Sequence, residues 1–546
     1  MIGAMADNEH LAAKLEEFAA LLELAGAGYY SIRAYRRAAE LVRGAGLSVA
    51  ELVAHGRVRA LRGIGPGVEA RLRELVETGE IAEVVELRQT VPIELAAVGL
   101  LHGFGAKRGA AIGAALGIRT ASELREAAQD GRLREVPGIG PKTEAKIVAA
   151  LASGRPKSRR PLLLPRAREL TGQLAHALGG LPAGDARRWA DSSSRLAVVV
   201  VSDDPAAVRR CFAALPQIVS ILAPDPGTED ADTKELGVTT DGVLVELTVT
   251  DAGECGTALV RATGPDGYVA SLEPLPAAST EEEVFRLLGR PYAPPELRGS
   301  PLAGRPPDLV ELDDIRGDLH AHTIWSDGKD TVLEMGTAAR ERGYEYLAIC
   351  DHTPNVGVVP GLDAGALRHQ AEEIAAANER LAPFRVLRGV ECDIRRDASL
   401  DLPDDVLAEL DWVQLSLHAG QRAPRRELTA RVTEAMRHPA VRCLSHPTGR
   451  LIGHRPENAL DLERTVEVAL ETGVAFEVNG LPSRLDLSGE HVATVLEAGA
   501  SIVCSTDAHS VRGLGNIELS VRTARRGGAT AAKVLNTRSL EKLLER

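Results

Sequence analysis

The sequence predicts a multidomain α/β protein: an all-α N-terminal region, a small α/β domain, and a distorted (β/α)7 barrel at the C-terminus. Three observations predict this architecture. Apolar strand-like runs alternate with helical stretches in seven units after residue 314, which is typical of a parallel β/α barrel. Three Gly-x-Gly segments lie among helical patterns between residues 61 and 151. Two β-branched runs, at 195–202 and 242–250, flank a helical stretch.

The composition is that of an ordinary globular protein. Of 546 residues, 44% are hydrophobic and 26% are charged, and no apolar run reaches the roughly 18–20 residues of a membrane helix. The acidic N-terminus lacks a secretory signal pattern, and the six cysteines are scattered without a CxxC spacing. A cytoplasmic location is therefore expected, without a membrane partner, a disulfide framework or a cysteine zinc site.

Charge is distributed unevenly along the chain. The net charge is −13, but residues 1–170 contain 25 Lys and Arg against 20 Asp and Glu, which leaves −18 for the remainder. A mildly basic N-terminal third can hold phosphates locally even though the protein as a whole is acidic.

The N-terminal region contains three similar segments, at 61–76, 101–116 and 136–151, and a basic, proline-punctuated linker follows at 153–168. Their glycines allow positive φ angles, and the backbone N–H groups of the next helix can hold a DNA phosphate without reading a base. One copy would be explained as well by an ordinary turn, but three copies favour sequence-nonspecific DNA binding. The expected contact residues are Gly63, Gly65, Gly103, Gly105, Gly138, Gly140 and Lys142.

Polar side chains end the strand-like runs of the predicted barrel. The C-terminal ends of barrel strands converge on one face, so these side chains should meet in one cavity. Ten of the 14 histidines follow residue 314 and six recur at strand ends, although each alone would more often be an ordinary hydrogen-bonded residue. Only the sixth run, ending at Asn479, has no strong ligand. The candidate ligands are His320, His322, Asp327, His352, Glu391, His418, His446, Asp507 and His509.

These nitrogen and oxygen ligands are too many for one ion. At about four to six ligands per ion, with some shared, they suit two or three divalent ions, Mn²⁺ or Zn²⁺, with Fe²⁺ as a further option. Such ions neutralise a phosphate, lower the pKa of water and stabilise a departing oxygen. The predicted reaction is metal-assisted phosphoester hydrolysis.

The barrel motifs resemble those of the PHP (polymerase and histidinol phosphatase) superfamily. The matching pieces are "DLHAHTIWSDG", "ICDHT", "VECDI", "LSLHAG", "CLSHPTGR" and "STDAH", within residues 314–546. All the positions where that superfamily places metal ligands hold suitable residues, so the resemblance implies a three-metal phosphoesterase. Arg450, in "HPTGR", is expected to contact the phosphate.

The N-terminal segments resemble helix-hairpin-helix motifs. With "LLELAGAGYYSIRAYRRAAE" (21–40) and "EEEVFRLLGRPYAPPEL" (281–297), they resemble bacterial family X DNA polymerases that carry a C-terminal PHP domain, over nearly the whole chain. The resemblance implies a helix-hairpin-helix domain at 1–85, a fingers-like domain at 86–155, a degenerate nucleotidyltransferase palm at 156–250, a degenerate thumb-like segment at 251–300, a linker at 301–313 and the PHP phosphoesterase at 314–546.

The chain departs from the family at the polymerase site. The family's Asp-x-Asp pair maps to Arg195 and Ala197, its third Asp maps to Glu246, and Asp185 stands where a Ser is expected. An arginine repels the ions that those carboxylates would hold, and one glutamate cannot hold two Mg²⁺. The resemblance therefore implies that polymerase activity is lost. Arg71 replaces the lysine that forms a Schiff base in relatives with lyase activity, so lyase activity is not expected.

The leading hypothesis is a DNA-binding phosphodiesterase in DNA repair: a 3′→5′ exonuclease, a 3′-end-processing enzyme or an endonuclease at abasic sites. Three alternatives stay open: a small-molecule phosphatase of the histidinol phosphatase kind, a non-enzymatic scaffold with structural metals, and a DNA polymerase with residual activity. Salt-sensitive binding to DNA of unrelated sequences distinguishes the leading hypothesis from the small-molecule phosphatase. Protein partners and oligomeric state are not predicted.

Overall fold

The fold is described from a computed structural model, over residues 8–43, 48–61, 63–152, 161–222, 234–299, 304–357 and 359–545. The chain forms two compact units. The first comprises Met1–Leu162, Glu169–Gly184 and Ser194–Ala262, and the second comprises Leu163–Arg168, Asp185–Ser193 and Thr263–Arg546. The predicted linkers fall partly at 153–160 and 301–303, which lie outside the described residues.

The N-terminal region is entirely α-helical where it is described, which confirms the prediction. Its helices are α1 (Asn8–Leu24), α2 (Tyr29–Arg43), α3 (Val49–Ala54), α4 (Pro66–Thr78), α5 (Ala82–Thr90), α6 (Ile93–Leu101), α7 (Ala106–Leu116), α8 (Ala121–Gln129) and α9 (Pro141–Ala152). In α1, Leu11, Leu15 and Phe18 recur every three to four residues and are fully or almost fully buried, so one apolar face drives packing. A capping box between Thr120 and Glu123 begins α8.

Each Gly-x-Gly segment forms the turn between two helical elements. Four of the six glycines have positive φ angles: Gly63 (107°), Gly103 (76°), Gly105 (92°) and Gly138 (84°). The other two, Gly65 and Gly140, directly precede the helices α4 and α9. A Cβ added at Gly65 or Gly140 would meet no atom within 4 Å, so both turns leave open space in front of a helix N-terminus. Lys142, in the first turn of α9, is exposed.

The middle of the chain contains a mixed five-stranded sheet. Its elements are β1 (Leu162–Leu163), α10 (Leu164–Ala177), β2 (Leu181–Ala183), α11 (Gly184–Arg187), β3 (Ser192–Ser193), β4 (Arg195–Val201), α12 (Pro205–Ala214), β5 (Ile218–Leu222), β6 (Lys234–Thr239), β7 (Leu244–Thr250), α13 (Cys255–Thr263), α14 (Asp266–Ala270) and α15 (Glu281–Leu287). The strand order is β2-β4-β7-β6-β5, while β1 and β3 pair separately. Only β4 and β7 are parallel neighbours in the larger sheet.

The parallel pair β4–β7 holds the positions that the family resemblance assigns to polymerase carboxylates. Ala197 lies opposite Glu246 in the register. The Glu246 carboxylate is 3.1 Å from Nη1 of Arg195 and 3.4 Å from Nζ of Lys234. Two basic side chains therefore neutralise the single carboxylate at this place.

The C-terminal region is a seven-stranded parallel barrel, as predicted. Its elements are β8 (Gly317–Ala321), α16 (Val332–Glu341), β9 (Tyr346–Ile349), α17 (Ala364–Leu381), β10 (Arg385–Asp393), α18 (Asp404–Leu407), β11 (Trp412–Ser416), α19 (Arg425–Ala435), β12 (Val441–Leu444), α20 (Leu462–Thr472), β13 (Ala475–Asn479), α21 (Gly489–Glu497), β14 (Ile502–Ser505), α22 (Ile517–Arg526) and α23 (Leu540–Leu544). The strands follow one another in chain order around the sheet.

The first and last strands of the barrel meet just beyond their C-terminal ends. Ala321 and Ala508 form a parallel bridge, and the amide of His322 donates to the carbonyl of Ala508 at 2.8 Å. Every residue of β8, β9, β11, β13 and β14 is buried, because helices cover the outside and side chains fill the inside. Charged residues on these strands are therefore forced into the interior.

The compact units do not follow the predicted domain boundaries along the chain. Two short segments from the predicted palm, Leu163–Arg168 and Asp185–Ser193, belong to the unit that contains the barrel. The predicted domain boundaries remain predictions, whereas the two units describe packing. Among the described residues, no helix combines the length and apolar character needed to cross a membrane.

Candidate metal centre

The predicted ligands lie at the C-terminal ends of six barrel strands or in the loops that follow. His320 and Glu391 lie on β8 and β10, and the others follow the strands β8, β9, β11, β12 and β14. His320, His322 and Glu391 are at most 1% exposed. The structure brings all nine side chains into one connected cluster, because parallel barrel strands end on a common face.

Glu391 is the centre of this cluster. One of its carboxylate oxygens is 2.8 Å from Nδ1 of His352, and the other is 2.9 Å from Nε2 of His446. Nε2 of His418 is 3.4 Å from the second oxygen, and Nε2 of His320 is 3.6 Å from the first. One carboxylate thus faces these four imidazoles from four different strands, and Nε2 of a fifth, His322, lies 3.7 Å from the first oxygen.

A second part of the cluster surrounds His322. Its Nε2 is 3.1 Å from Nε2 of His320 and 3.1 Å from a carboxylate oxygen of Asp507. On the other side of the ring, Nδ1 is 3.8 Å from Asp327. Asp327 also lies 3.2 Å from Nε2 of His509. The loop residue Asp327 therefore faces the same space as the strand-end histidines.

The donor set fits divalent metal ions. Three overlapping groups have ligand atoms within 4.8 Å of one another: His322, Asp327, His352 and His509; His320, His322 and Glu391; and His352, Glu391 and His418. Within the described residues, Nδ1 of His322 and Nδ1 of His446 are buried without a hydrogen-bond partner. Such nitrogens are costly to bury unless a ligand binds them.

The carboxylates of the cluster are held in their ionised form. Burial raises the pKa of Glu391, but His352, His418 and His320 outweigh burial and hold this pKa well below its usual range. Burial also raises the pKa of Asp507, and the neighbouring histidines lower it well below its ordinary value. Both side chains therefore present negative oxygens at neutral pH.

The histidines show the complementary effect. Burial lowers the pKa of His322 to about 4, so this imidazole is neutral and keeps a lone pair at neutral pH. Burial also lowers the pKa of His320, but Glu477, Asp507 and Glu391 raise it well above its ordinary value. The same carboxylates that favour an imidazolium at this place favour a divalent cation.

Glu477, on β13, is a supporting residue that sequence reasoning missed. This fully buried carboxylate accepts a hydrogen bond from Nδ1 of His320 at 2.6 Å, from Ser505 Oγ at 2.6 Å and from the amide of His446 at 2.6 Å. A carboxylate behind a metal-binding histidine fixes its tautomer and orientation. The available signal was one acidic residue inside an otherwise apolar strand, "AFEVN".

The backbone is strained at two of the predicted ligands. His446 has φ 24° and Asp507 has φ 53°, in the left-handed region that side-chain-bearing residues rarely adopt. Such conformations persist only where surrounding contacts impose them, and they cluster at functional sites. The amide of His446, bound to Glu477, is one of those contacts.

Arg450 was expected to contact the phosphate, but its guanidinium binds other partners than the cluster. Its guanidinium pairs with Asp191 at 2.7 Å and donates to the carbonyl of Arg484 at 2.8 Å, because the side chain turns away into the loop after β13. Arg484 lies at the cluster instead, with Nε 3.8 Å from Asp507. Within the described part of the chain, Nε and Nη1 of Arg484 are buried without a hydrogen-bond partner. The Arg484 guanidinium is thus a cation beside the candidate ligands.

Comparisons with known proteins agree with this architecture. A helix-hairpin-helix domain model matches residues 6–81, a SAM-like helix-hairpin-helix tandem model matches residues 101–153, and a PHP domain model matches residues 318–479. This chain is 30% identical, over 238 residues, to a protein named "Probable phosphatase" from Acetivibrio thermocellus, and the match covers 42% of this chain and 93% of that protein. A protein of the same name from Shewanella loihica is 30% identical over 234 residues, covering 40% of this chain and 88% of that protein.

A full-length relative is also found. The protein named "DNA polymerase/3'-5' exonuclease PolX" from Bacillus subtilis is 33% identical over 560 residues, covering 96% of this chain and 97% of that protein. The alignment includes the helical region, the middle sheet and the barrel. Because this similarity extends over nearly the whole of both chains, the protein described here belongs to the family X DNA polymerases that carry a C-terminal PHP domain.

Proposed function

We propose that the barrel hydrolyses phosphodiester bonds of DNA in DNA repair, as a 3′→5′ exonuclease or 3′-end-processing enzyme. The observation that carries this proposal is the convergence of imidazoles and carboxylates around Glu391 and His322, with the Arg484 guanidinium 3.8 Å from Asp507 beside them. The full-length relative bears the name of a 3′-5′ exonuclease. Cleavage at abasic sites is a further activity that the same centre would support.

The cluster residues would hold two or three divalent ions, Mn²⁺ or Zn²⁺, with Fe²⁺ as a further option. Bound ions of this kind neutralise phosphate charge, activate water and stabilise the leaving oxygen. Residues of the chain itself orient the imidazoles that would bind these ions. Glu477 accepts a hydrogen bond from Nδ1 of His320, so Nε2, which is directed toward Glu391 and Asp507, is the nitrogen that would bind an ion. The Arg484 guanidinium, a cation that lies 3.8 Å from Asp507, is placed to bind a phosphate oxygen.

The helix-hairpin-helix turns favour DNA over a small phosphomonoester. The open space before α4 and α9 lets a phosphate approach backbone N–H groups at a helix N-terminus, and the exposed Lys142 adds positive charge. These contacts reach only the backbone of DNA and are independent of sequence. A small-molecule phosphatase is the second candidate, supported by the proteins named probable phosphatases, which match 40–42% of this chain.

The test of this function is hydrolysis of end-labelled duplexes. With Mn²⁺, the purified protein is expected to shorten gapped and recessed DNA from the 3′ end, and chelation of divalent ions should stop the reaction. Activity should fall steeply as salt rises, because phosphate contacts release counterions. Histidinol phosphate and the small diester bis(p-nitrophenyl) phosphate serve as comparison substrates.

The relative rates on DNA and on histidinol phosphate distinguish the DNA enzyme from the small-molecule phosphatase. Efficient cleavage of DNA with little action on histidinol phosphate supports the DNA enzyme. Rapid hydrolysis of histidinol phosphate without cleavage of DNA contradicts it and favours the small-molecule phosphatase. An Asp507→Ala variant is the control, since DNA cleavage that survives this change does not arise at the proposed centre.

We also propose that polymerase activity is lost. The pairing of Glu246 with Arg195 and Lys234 supports this, because a carboxylate already neutralised by two cations binds divalent ions poorly. In a primer-extension assay with Mg²⁺ or Mn²⁺, no nucleotide is expected to be added to a gapped primer, even when Asp507→Ala removes the competing nuclease. Measurable extension by that variant, if abolished by Glu246→Ala, contradicts the loss and supports a residual polymerase.

A further inference from the structure

The segment Asp185–Ser193 lies in the same compact unit as the barrel. By resemblance it belongs to the polymerase palm, which has no part in phosphoester hydrolysis. Two of its side chains, Trp189 and Asp191, contact residues of the barrel loops. Trp189 packs against Leu485, and Asp191 binds Arg450, which in turn binds the carbonyl of Arg484. Both side chains therefore connect the segment to the loop that carries Arg484.

Trp189 anchors the segment. It is 7% exposed and packs in a small cluster with Leu164, Leu485 and Leu519. The guanidinium carbon of Arg168 lies 3.4 Å from the centre of the Trp189 ring, which is a cation–π contact. Trp189 has φ 56°, a conformation that a tryptophan adopts only where its surroundings compensate for the strain.

Asp191 binds two arginines of the barrel region. One carboxylate oxygen accepts from Nη2 of Arg450 at 2.7 Å, and the other accepts from Arg526. The Asp191 and Arg450 side chains are 19% and 12% exposed. Water screens such a partly desolvated, charge-assisted pair much less than it screens a surface pair, so the pair fixes the Arg450 side chain.

Arg450 in turn binds the backbone of the loop after β13. Its Nε donates to the carbonyl of Arg484 at 2.8 Å, and its Nη2 donates to the carbonyl of Leu485. Nearby, the amide of Ile452 donates to the carbonyl of Ser483 at 2.8 Å. Leu485 has φ 44°, so the loop holds a conformation that its contacts impose.

We infer that Asp191 is a positioning residue for phosphoester hydrolysis. It fixes Arg450, Arg450 fixes the backbone at Arg484, and the Arg484 guanidinium is thereby held 3.8 Å from Asp507, where a substrate phosphate would bind. This inference rests on the proposed function of the barrel. It gives a physical reason for keeping a palm-derived segment in a chain that lacks the polymerase carboxylates.

The test compares Asp191→Ala, Arg484→Ala and the double variant on the recessed duplex DNA. Asp191→Ala is expected to lower kcat/KM by about 10- to 100-fold, because a misplacement of about 1 Å can cost about 100-fold in rate. The double variant should be no slower than Arg484→Ala, because Asp191 acts through Arg484. Asp185→Asn is the matched control and should leave kcat/KM unchanged. Its carboxylate contacts Arg188 and Ser193 within the same segment.

A second measurement, the binding of inorganic phosphate, does not depend on catalytic turnover. Binding of inorganic phosphate should weaken about equally in Asp191→Ala and Arg484→Ala, while the metal content found by elemental analysis should stay at the wild-type level. If Asp191→Ala does not fold, Asp191→Asn keeps the shape and removes the charge. Unchanged phosphate binding and rate in these variants, or losses that add in the double variant, overturn the inference. A wild-type protein that binds phosphate but cleaves neither DNA nor bis(p-nitrophenyl) phosphate contradicts the proposed function instead.

Discussion

Replacing Glu391 by alanine is expected to lower kcat/KM for DNA hydrolysis by about 1,000-fold or more. Glu391 belongs to two of the three groups of candidate ligands and faces imidazoles on both of its oxygens. Without this carboxylate, His352, His418 and His446 lose the negative partner that they share. The variant should therefore also bind fewer divalent ions per chain, measured by elemental analysis after dialysis.

The control is Glu409→Ala, which removes an exposed carboxylate that pairs with Arg368 on the outside of the barrel. This variant should keep the wild-type rate and metal content. The proposed centre is wrong if Glu391→Ala keeps more than about a tenth of the activity together with its full complement of metal. A loss of activity with unaltered metal content would assign Glu391 a role in binding substrate instead.

Replacing Glu477 by alanine should have the second largest effect, on both stability and metal binding. The buried carboxylate accepts hydrogen bonds from six donors, and alanine removes the acceptor that they share. The donors are His320, Gln414, Ser445, the amide of His446, Asn479 and Ser505. Breaking a buried charged network in this way costs about 3–5 kcal/mol of unfolding free energy. Losing the carboxylate behind a metal ligand lowers metal affinity by about 10- to 100-fold.

Urea denaturation of the chelated protein and metal titration at several concentrations check the two effects separately. Glu477→Gln is the informative companion, because it keeps the side-chain volume and one acceptor oxygen but lacks the negative charge beside His320. It should fold more stably than the alanine variant and still bind metal more weakly than the wild type. Equal metal affinity in wild type and Glu477→Gln would contradict the supporting role of this charge.

The barrel and its cluster could be predicted because their determinants are local in sequence. A polar residue that ends an apolar run is visible in the chain, and barrel geometry brings all strand ends to one face. The regular alternation of strand and helix fixed the number of units, so the positions of His320, Glu391 and Asp507 followed without knowledge of any long-range contact. The Gly-x-Gly turns were visible for the same reason, since positive φ angles at Gly63 and Gly138 require no distant partner.

The supporting contacts could not be predicted because they depend on packing between distant segments. Glu477 lies within a strand rather than at its end, and its partner His320 is 157 residues away in sequence. Arg450 and Arg484 are both basic residues in loops near the cluster, and only the backbone contacts show which of them faces it. Asp191, 259 residues before Arg450, gives no local sign that it belongs with the barrel.

The junction of the first and last barrel strands has a consequence for synthesis of the protein. His322 and Asp507 are 185 residues apart, and the bridge between Ala321 and Ala508 is needed to bring them together. At about 5–20 residues per second, the ribosome takes roughly 10 to 40 s to make the intervening chain. The helix-hairpin-helix region is therefore synthesised well before the candidate metal centre can form. We expect a translation product that stops short of β14 to bind DNA without cleaving it.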